Sequence, residues 1–195
     1  MQKYLGLDLS TVSTGYAVFN EQLLVESGKI VPPEGMSVMA RIVYTAGKVR
    51  TICTTHKPDK VIIEDVFYGS NYLTTKLLNR LAGAVYSTIY TYSGDLYPLP
   101  NIEFVTPTSA RKYFGLLPAS KKRHIVEAVN RKFGLSLKIK DNDEADAIVT
   151  GYYGYILDHQ PDETYKKESQ KFFKTKVRGM KTPPIKGLKK WQQQT

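Results

Sequence analysis

Residues 4–15 read Tyr4-Leu5-Gly6-Leu7-Asp8-Leu9-Ser10-Thr11-Val12-Ser13-Thr14-Gly15. The first six alternate, with Leu5, Leu7 and Leu9 on one face and Tyr4, Gly6 and Asp8 on the other, which is the period of a strand. Asp is disfavoured inside a strand, so Asp8 sits there against local preference. Gly6, its neighbour on that face, leaves room for a ligand or a second backbone to come close. Ser10 to Gly15 is a polar turn. Tyr16–Asn20 and Leu23–Val31 follow as two more strands, which predicts an antiparallel meander.

Working outward, Pro32-Pro33-Glu34-Gly35 ends the meander. Met36–His56 has helical spacing through Met39, Ile42, Val43, Ala46, Val49 and Ile52. Val61-Ile62-Ile63 is a short β-branched run of the kind buried on both faces of a parallel sheet, and Glu64 comes directly after it. Asn71–Tyr92 predicts a long helix, Ile102–Val105 a fifth strand, and Ser120–Phe133 and Asp143–Asp158 two further helices. The order predicts an α/β protein with a mixed five-stranded sheet, three antiparallel strands then parallel ones, and helices on both faces. Residues 1–158 form this domain. Residues 159–195 are expected to be a basic extension, helical over Glu163–Phe173 and unstructured over Lys174–Thr195 when unbound.

Four acids stand out as a set: Asp8, Glu64, Asp143 and Asp146. Glu64 should project from the end of a hydrophobic strand. Asp143 and Asp146, three apart, share one face at the start of a helix that continues Ala147-Ile148-Val149 into the core. Taken singly, Glu64 is an ordinary turn residue, and Asp143 and Asp146, with Asp141 and Glu144, are ordinary helix-start acids. If the first and fourth strands are neighbours, the four carboxylates converge, raise one another's pKa and need a cation to stay ionised. Dense hard oxygen ligands suit Mg²⁺ or Mn²⁺. Two such ions roughly 4 Å apart support phosphodiester hydrolysis.

At these residues the chain resembles the RuvC-type Holliday-junction resolvases. The matching pieces are Gly6-Leu7-Asp8 with Ser10 and Thr14-Gly15-Tyr16; Pro58-Asp59 leading into Ile63-Glu64-Asp65-Val66-Phe67; Asn71 with Gly83-Ala84; and Asp143-Glu144-Ala145-Asp146-Ala147. They run in order over roughly residues 3–158. The resemblance implies a ribonuclease H-like fold and a homodimer that makes paired cuts in four-way DNA junctions with two Mg²⁺ per site, leaving 5′-phosphate and 3′-hydroxyl ends. It implies that Asp8, Glu64, Asp143 and Asp146 are catalytic and bind the metals, that Phe67 wedges at the branch point, and that Lys121 contacts the backbone near the cut. A second basic position falls on Arg111 or Lys112. Asp65 and Glu144 are carboxylates beyond the pattern, and Glu144 competes with Asp143 for the ligand role. The tail after Asp158 is longer than in typical bacterial members, as in phage-like versions.

The charge agrees with a polyanionic partner. Net charge is +10 at a sequence pI of about 9.5, and residues 162–195 hold ten Lys/Arg against three Asp/Glu. Such groups displace counterions from phosphates. Arg111-Lys112-Tyr113 and Lys121-Lys122-Arg123 flank a short loop and suit a phosphate track, with Lys122 a further DNA contact. Phe67 reads either as an exposed wedge or as core. The stripe Leu77, Leu78, Leu81, Ala82, Val85 and Ile89 is wider than one core face needs, which suits a dimer seam or a wholly buried helix.

The one cysteine, Cys53, cannot form an internal disulfide, and with no secretory signal or membrane span in the sequence a cytoplasmic setting is expected. Two other classes compete. Gly6-Leu7-Asp8-Leu9-Ser10-Thr11 with Gly15 also resembles the first phosphate loop of actin-like and sugar-kinase ATP-binding proteins, which need two such domains. A non-catalytic DNA-binding module explains the tail but not the four acids. Within the nucleases, a flap or general branched-DNA enzyme is the alternative.

Overall fold

The structure, a computed structural model, describes residues 1–65, 72–93 and 98–159. Its strands are β1 (Lys3–Asp8), β2 (Thr14–Asn20), β3 (Leu23–Ile30), β4 (Lys60–Glu64) and β5 (Asn101–Val105). Its helices are α1 (Val38–His56), α2 (Tyr72–Ser93), α3 (Pro107–Tyr113), α4 (Lys122–Phe133) and α5 (Asn142–His159), with one 3-10 turn at Ile139–Asp141. The sheet order is β3-β2-β1-β4-β5. The first three strands pair antiparallel, and β4 and β5 add in parallel on the other side of β1. The mixed sheet expected from the element order is the one observed. A compact unit runs from Met1 to Asp158.

The alternation in β1 sorts the two faces. Leu5, Leu7 and Leu9 join Val61 and Ile63 of β4 in a core closed by Ile42, Ala46, Val49 and Cys53 of α1 and by Leu81, Val85 and Ile89 of α2. Tyr4, Gly6 and Asp8 face α5 instead. A Cβ on Gly6 would run into the carbonyl oxygen of Ala147 and the amide nitrogen of Gly151, so the space left by Gly6 is filled by the backbone of α5. Gly15 lies equally close to the carbonyl of Asp143. Aromatic edges tie the smaller helices to α5: Phe133 of α4 meets Tyr152 at 5.7 Å, and Tyr113 of α3 meets Tyr153 at 5.4 Å. Each sheet face therefore carries helices.

Three expectations are corrected. The segment between β5 and α4 contains a helix, α3, capped by Thr106 Oγ1 accepting from Ser109 N, with Pro107 in the first turn. In α1 the buried stripe is Ile42, Ala46, Val49 and Cys53, while Met39 and Val43 lie on the adjacent solvent face. Nor is α2 wholly buried: it seals the core along Leu81, Val85 and Ile89, and Tyr72, Leu73, Tyr86 and Tyr90 are exposed. Among the described residues no helix is long and apolar enough to cross a membrane. Phe67, Asn71 and the expected helix at Glu163–Phe173 lie outside the described residues.

Candidate metal and nucleic-acid site

Parallel register brings the first two acids together. Leu7 pairs with Ile63 across β1 and β4, so the next residues, Asp8 and Glu64, end their strands side by side. Both point to the face that Gly6 and Ile62 share with α5, because side chains alternate along a strand. On the other flank Asp8 is paired with Gly15, whose bare Cα admits the start of α5. That contact places Asp143 beside Asp8, and one helical turn on, Asp146 is buried at 7% exposure.

The start of α5 is clamped by the edge strand. Lys29 of β3 bonds Asp141 at 2.7 Å, and Ser27 Oγ donates to Glu144 Oε1 at 2.7 Å. Asp141 and Glu144 are thereby turned towards β3, whereas Asp143 and Asp146 turn to the sheet end. Of the two candidates Asp143 and Glu144, Asp143 is among the charges that raise Asp8, whereas Glu144 is bonded to Ser27.

The four acids feel one another. Asp8 is pushed up to about 7, first by loss of water and then by the charges of Asp146 and Asp143. Glu64 is pushed up to about 9 by burial and by Asp8 and Asp146. Arg111 and the neighbouring Thr150 hydroxyl, which makes no hydrogen bond of ordinary geometry, pull Glu64 back. Asp146 is raised by burial, against the opposing charges of Arg111 and Lys122. Arg111 Nη2 stands 3.3 Å from Asp146 Oδ1.

The basic candidates separate by direction. Arg111 enters the acid cluster, while the Lys112 ammonium lies 6.0 Å from the Tyr113 ring centroid. Lys121 is exposed at the N-cap of α4. Lys122, one residue on, is the lysine whose charge reaches Asp8 and Asp146. Sequence reasoning missed Thr150, although it lies four residues after Asp146 on the same face of α5, and missed the Ser27 and Lys29 clamps.

This set of donors fits a hard divalent cation: four carboxylate side chains, of which Asp8, Glu64 and Asp146 are short of water and repelled by neighbouring acids. Among the described residues, however, no group of three or more His, Cys, Asp or Glu side chains is gathered closely enough to hold a metal as it stands. The acids converge on one sheet end without yet closing on a common point.

A β3-β2-β1-β4-β5 sheet with this order of directions, covered on both faces, is the ribonuclease H-like fold. Thermus thermophilus RuvC in complex with Holliday junction substrate superposes with a TM-score of 0.68 over 82% of this chain and 97% of that one, at 13% identity. The family model "Crossover junction endodeoxyribonuclease RuvC" matches residues 4–151, and the chain belongs to the RuvC family of crossover junction endodeoxyribonucleases. Among its relatives, the RuvC of Syntrophomonas wolfei is 25% identical over 150 residues, covering 75% of this chain and 84% of the relative. That of Campylobacter concisus is 29% identical over 151 residues, covering 75% and 91%. The family is divalent-metal dependent. The ATP-binding and non-catalytic alternatives give way to this assignment.

Proposed function

We propose that this chain resolves four-way DNA junctions by paired phosphodiester hydrolysis, leaving 5′-phosphate and 3′-hydroxyl ends, with Asp8, Glu64, Asp143 and Asp146 holding two Mg²⁺ per site. The observation that carries the reading is the convergence of these acids, from three separate elements, at the end of β1 and β4. When bound, the ions supply an activated water and offset the charge on the leaving oxygen. The protein contributes the cage, the exclusion of water that strengthens every charge within it, and the positive groups of Arg111 and Lys122 beside it. Lys121, Phe67 and one of Arg111 and Lys112 are assigned to DNA contact by resemblance.

Two further parts support this reading. Tyr72, Leu73, Tyr86 and Tyr90 leave α2 with an exposed apolar surface, which suits a homodimer whose two-fold supplies one site per opposed strand. Residues 1–158 act as the nuclease domain, and the basic residues of 159–195 add sequence-independent phosphate contacts.

Synthetic four-way junction, flap and linear duplex should be incubated with the full chain in Mg²⁺ and in chelator. Symmetrical, Mg²⁺-dependent, ligatable nicks confined to the junction are expected. Equal cutting of the flap would replace the junction assignment with a general branched-DNA nuclease, and metal-independent cutting would overturn the site.

A further inference from the structure

Arg111 stands out because it is a cation in direct contact with one of the clustered acids. Its Nη2 lies 3.3 Å from Asp146 Oδ1, with both side chains sheltered at 21% and 10% exposure. Its Nε is buried and has no hydrogen-bond partner. A buried, unbonded donor is disfavoured, so this side chain is held here by the charge it meets and not by a complete set of bonds. The backbone beneath it is fixed: Ala110 is 1% exposed, Thr106 caps α3 through Ser109 N at 3.2 Å, and Tyr113 packs on Tyr153. Any rearrangement at Arg111 is therefore a movement of the side chain alone. Asp146 faces a competition, since a ligating carboxylate oxygen cannot also keep its place on the guanidinium unchanged.

We infer that Arg111 is a built-in stand-in cation, lodged among the carboxylates of the metal-free protein and displaced from Asp146 Oδ1 when a divalent ion enters. The inference rests on the reading of those acids as the metal site. It accounts for why the acids share a sheet end yet no three are gathered around a point. Displacement also frees a planar guanidinium, the group best matched to a phosphate oxygen pair. Metal and DNA binding are then coupled, and reciprocally so.

The wild-type full chain, ¹⁵N-labelled, provides the direct test. The Arg111 Nε–Hε resonance, identified by its loss in Arg111→Lys, should exchange slowly with water in chelator. It should shift and exchange fast when calorimetry registers saturation with Mg²⁺. A resonance unchanged in position and exchange at saturation overturns the inference while leaving the metal site intact. In the variant Arg111→Gln, Mg²⁺ should bind about tenfold more tightly. The melting-temperature deficit of this variant in chelator should close at saturating Mg²⁺. Equal affinity in the two proteins also overturns the inference. If calorimetry finds no Mg²⁺ uptake by either protein, the metal-site reading itself fails.

Discussion

Asp8 and Glu64 make the metal-free protein sensitive to alkali. Both have folded-state pKa values, about 7 and about 9, above their ordinary ones. Groups raised in this way favour the fold fully at pH below their unfolded pKa, and that contribution is lost as pH rises through the folded value. Melting temperature in chelator should therefore fall by several degrees from pH 5 to pH 9. Glu64→Gln should remove most of the fall above pH 7, and saturating Mg²⁺ should flatten it in the wild type; a flat profile in chelator would contradict the clustering. Asp8→Asn should abolish cutting, retain junction binding in a gel-shift assay, and raise the melting temperature in chelator at pH 8. These acids were legible in the sequence only as a set: Asp8 alone stands against its local preference inside a strand, whereas Glu64, Asp143 and Asp146 are ordinary when taken one at a time. The engagement of Arg111 was not legible, because it depends on the roll of α3 about its own axis. Glu144 was unresolved for a similar reason: only tertiary packing shows Ser27 opposite it.

At the scale of elements, β1 and α5 meet through glycine. Gly6→Ala sets a Cβ against main-chain atoms of Ala147 and Gly151, which have little freedom to withdraw. Denaturant unfolding should show a loss of about 3 kcal/mol or more, with weaker Mg²⁺ binding as α5 is lifted from the sheet. Gly151→Ala meets the Phe19 ring, with Cε2 at 2.8 Å, and gains about 1 kcal/mol of helix propensity; it should be the milder of the two. Thr106→Ala removes the α3 cap and should cost about 1 kcal/mol. The strands and long helices were readable from periodicity. Helix α3 was not, because Thr106-Pro107-Thr108-Ser109 has the composition of a turn, although a capping Thr followed by Pro also marks a helix start. In α1, Met39 and Val43 are apolar yet exposed, so hydrophobicity alone mislocated the buried face.

For the whole molecule, the surplus of positive charge predicts how binding responds to salt. With ten Lys/Arg in residues 162–195, junction affinity of the full chain should fall steeply between 50 and 200 mM salt, by about 10³-fold or more. A chain ending at residue 159 should show a shallower slope and an unchanged melting temperature; equal slopes would assign DNA binding to residues 1–159 alone. Sedimentation of the full chain should give a dimer, and Tyr86→Lys with Tyr90→Lys a monomer. The order of elements and the antiparallel meander were readable from sequence, while the pairing of β1 with β4 stood only as a condition until the sheet was seen, since no pattern within a strand names its partner. With no side chain between β1 and α5 at Gly6, the span from Asp8 to Asp146 is dimensioned by peptide units, which substitution does not resize. Drift or redesign in the oily layers thus erodes thermal tolerance before it alters the spacing of the acids, and a longer acid placed at either end extends into a gap whose walls stay put.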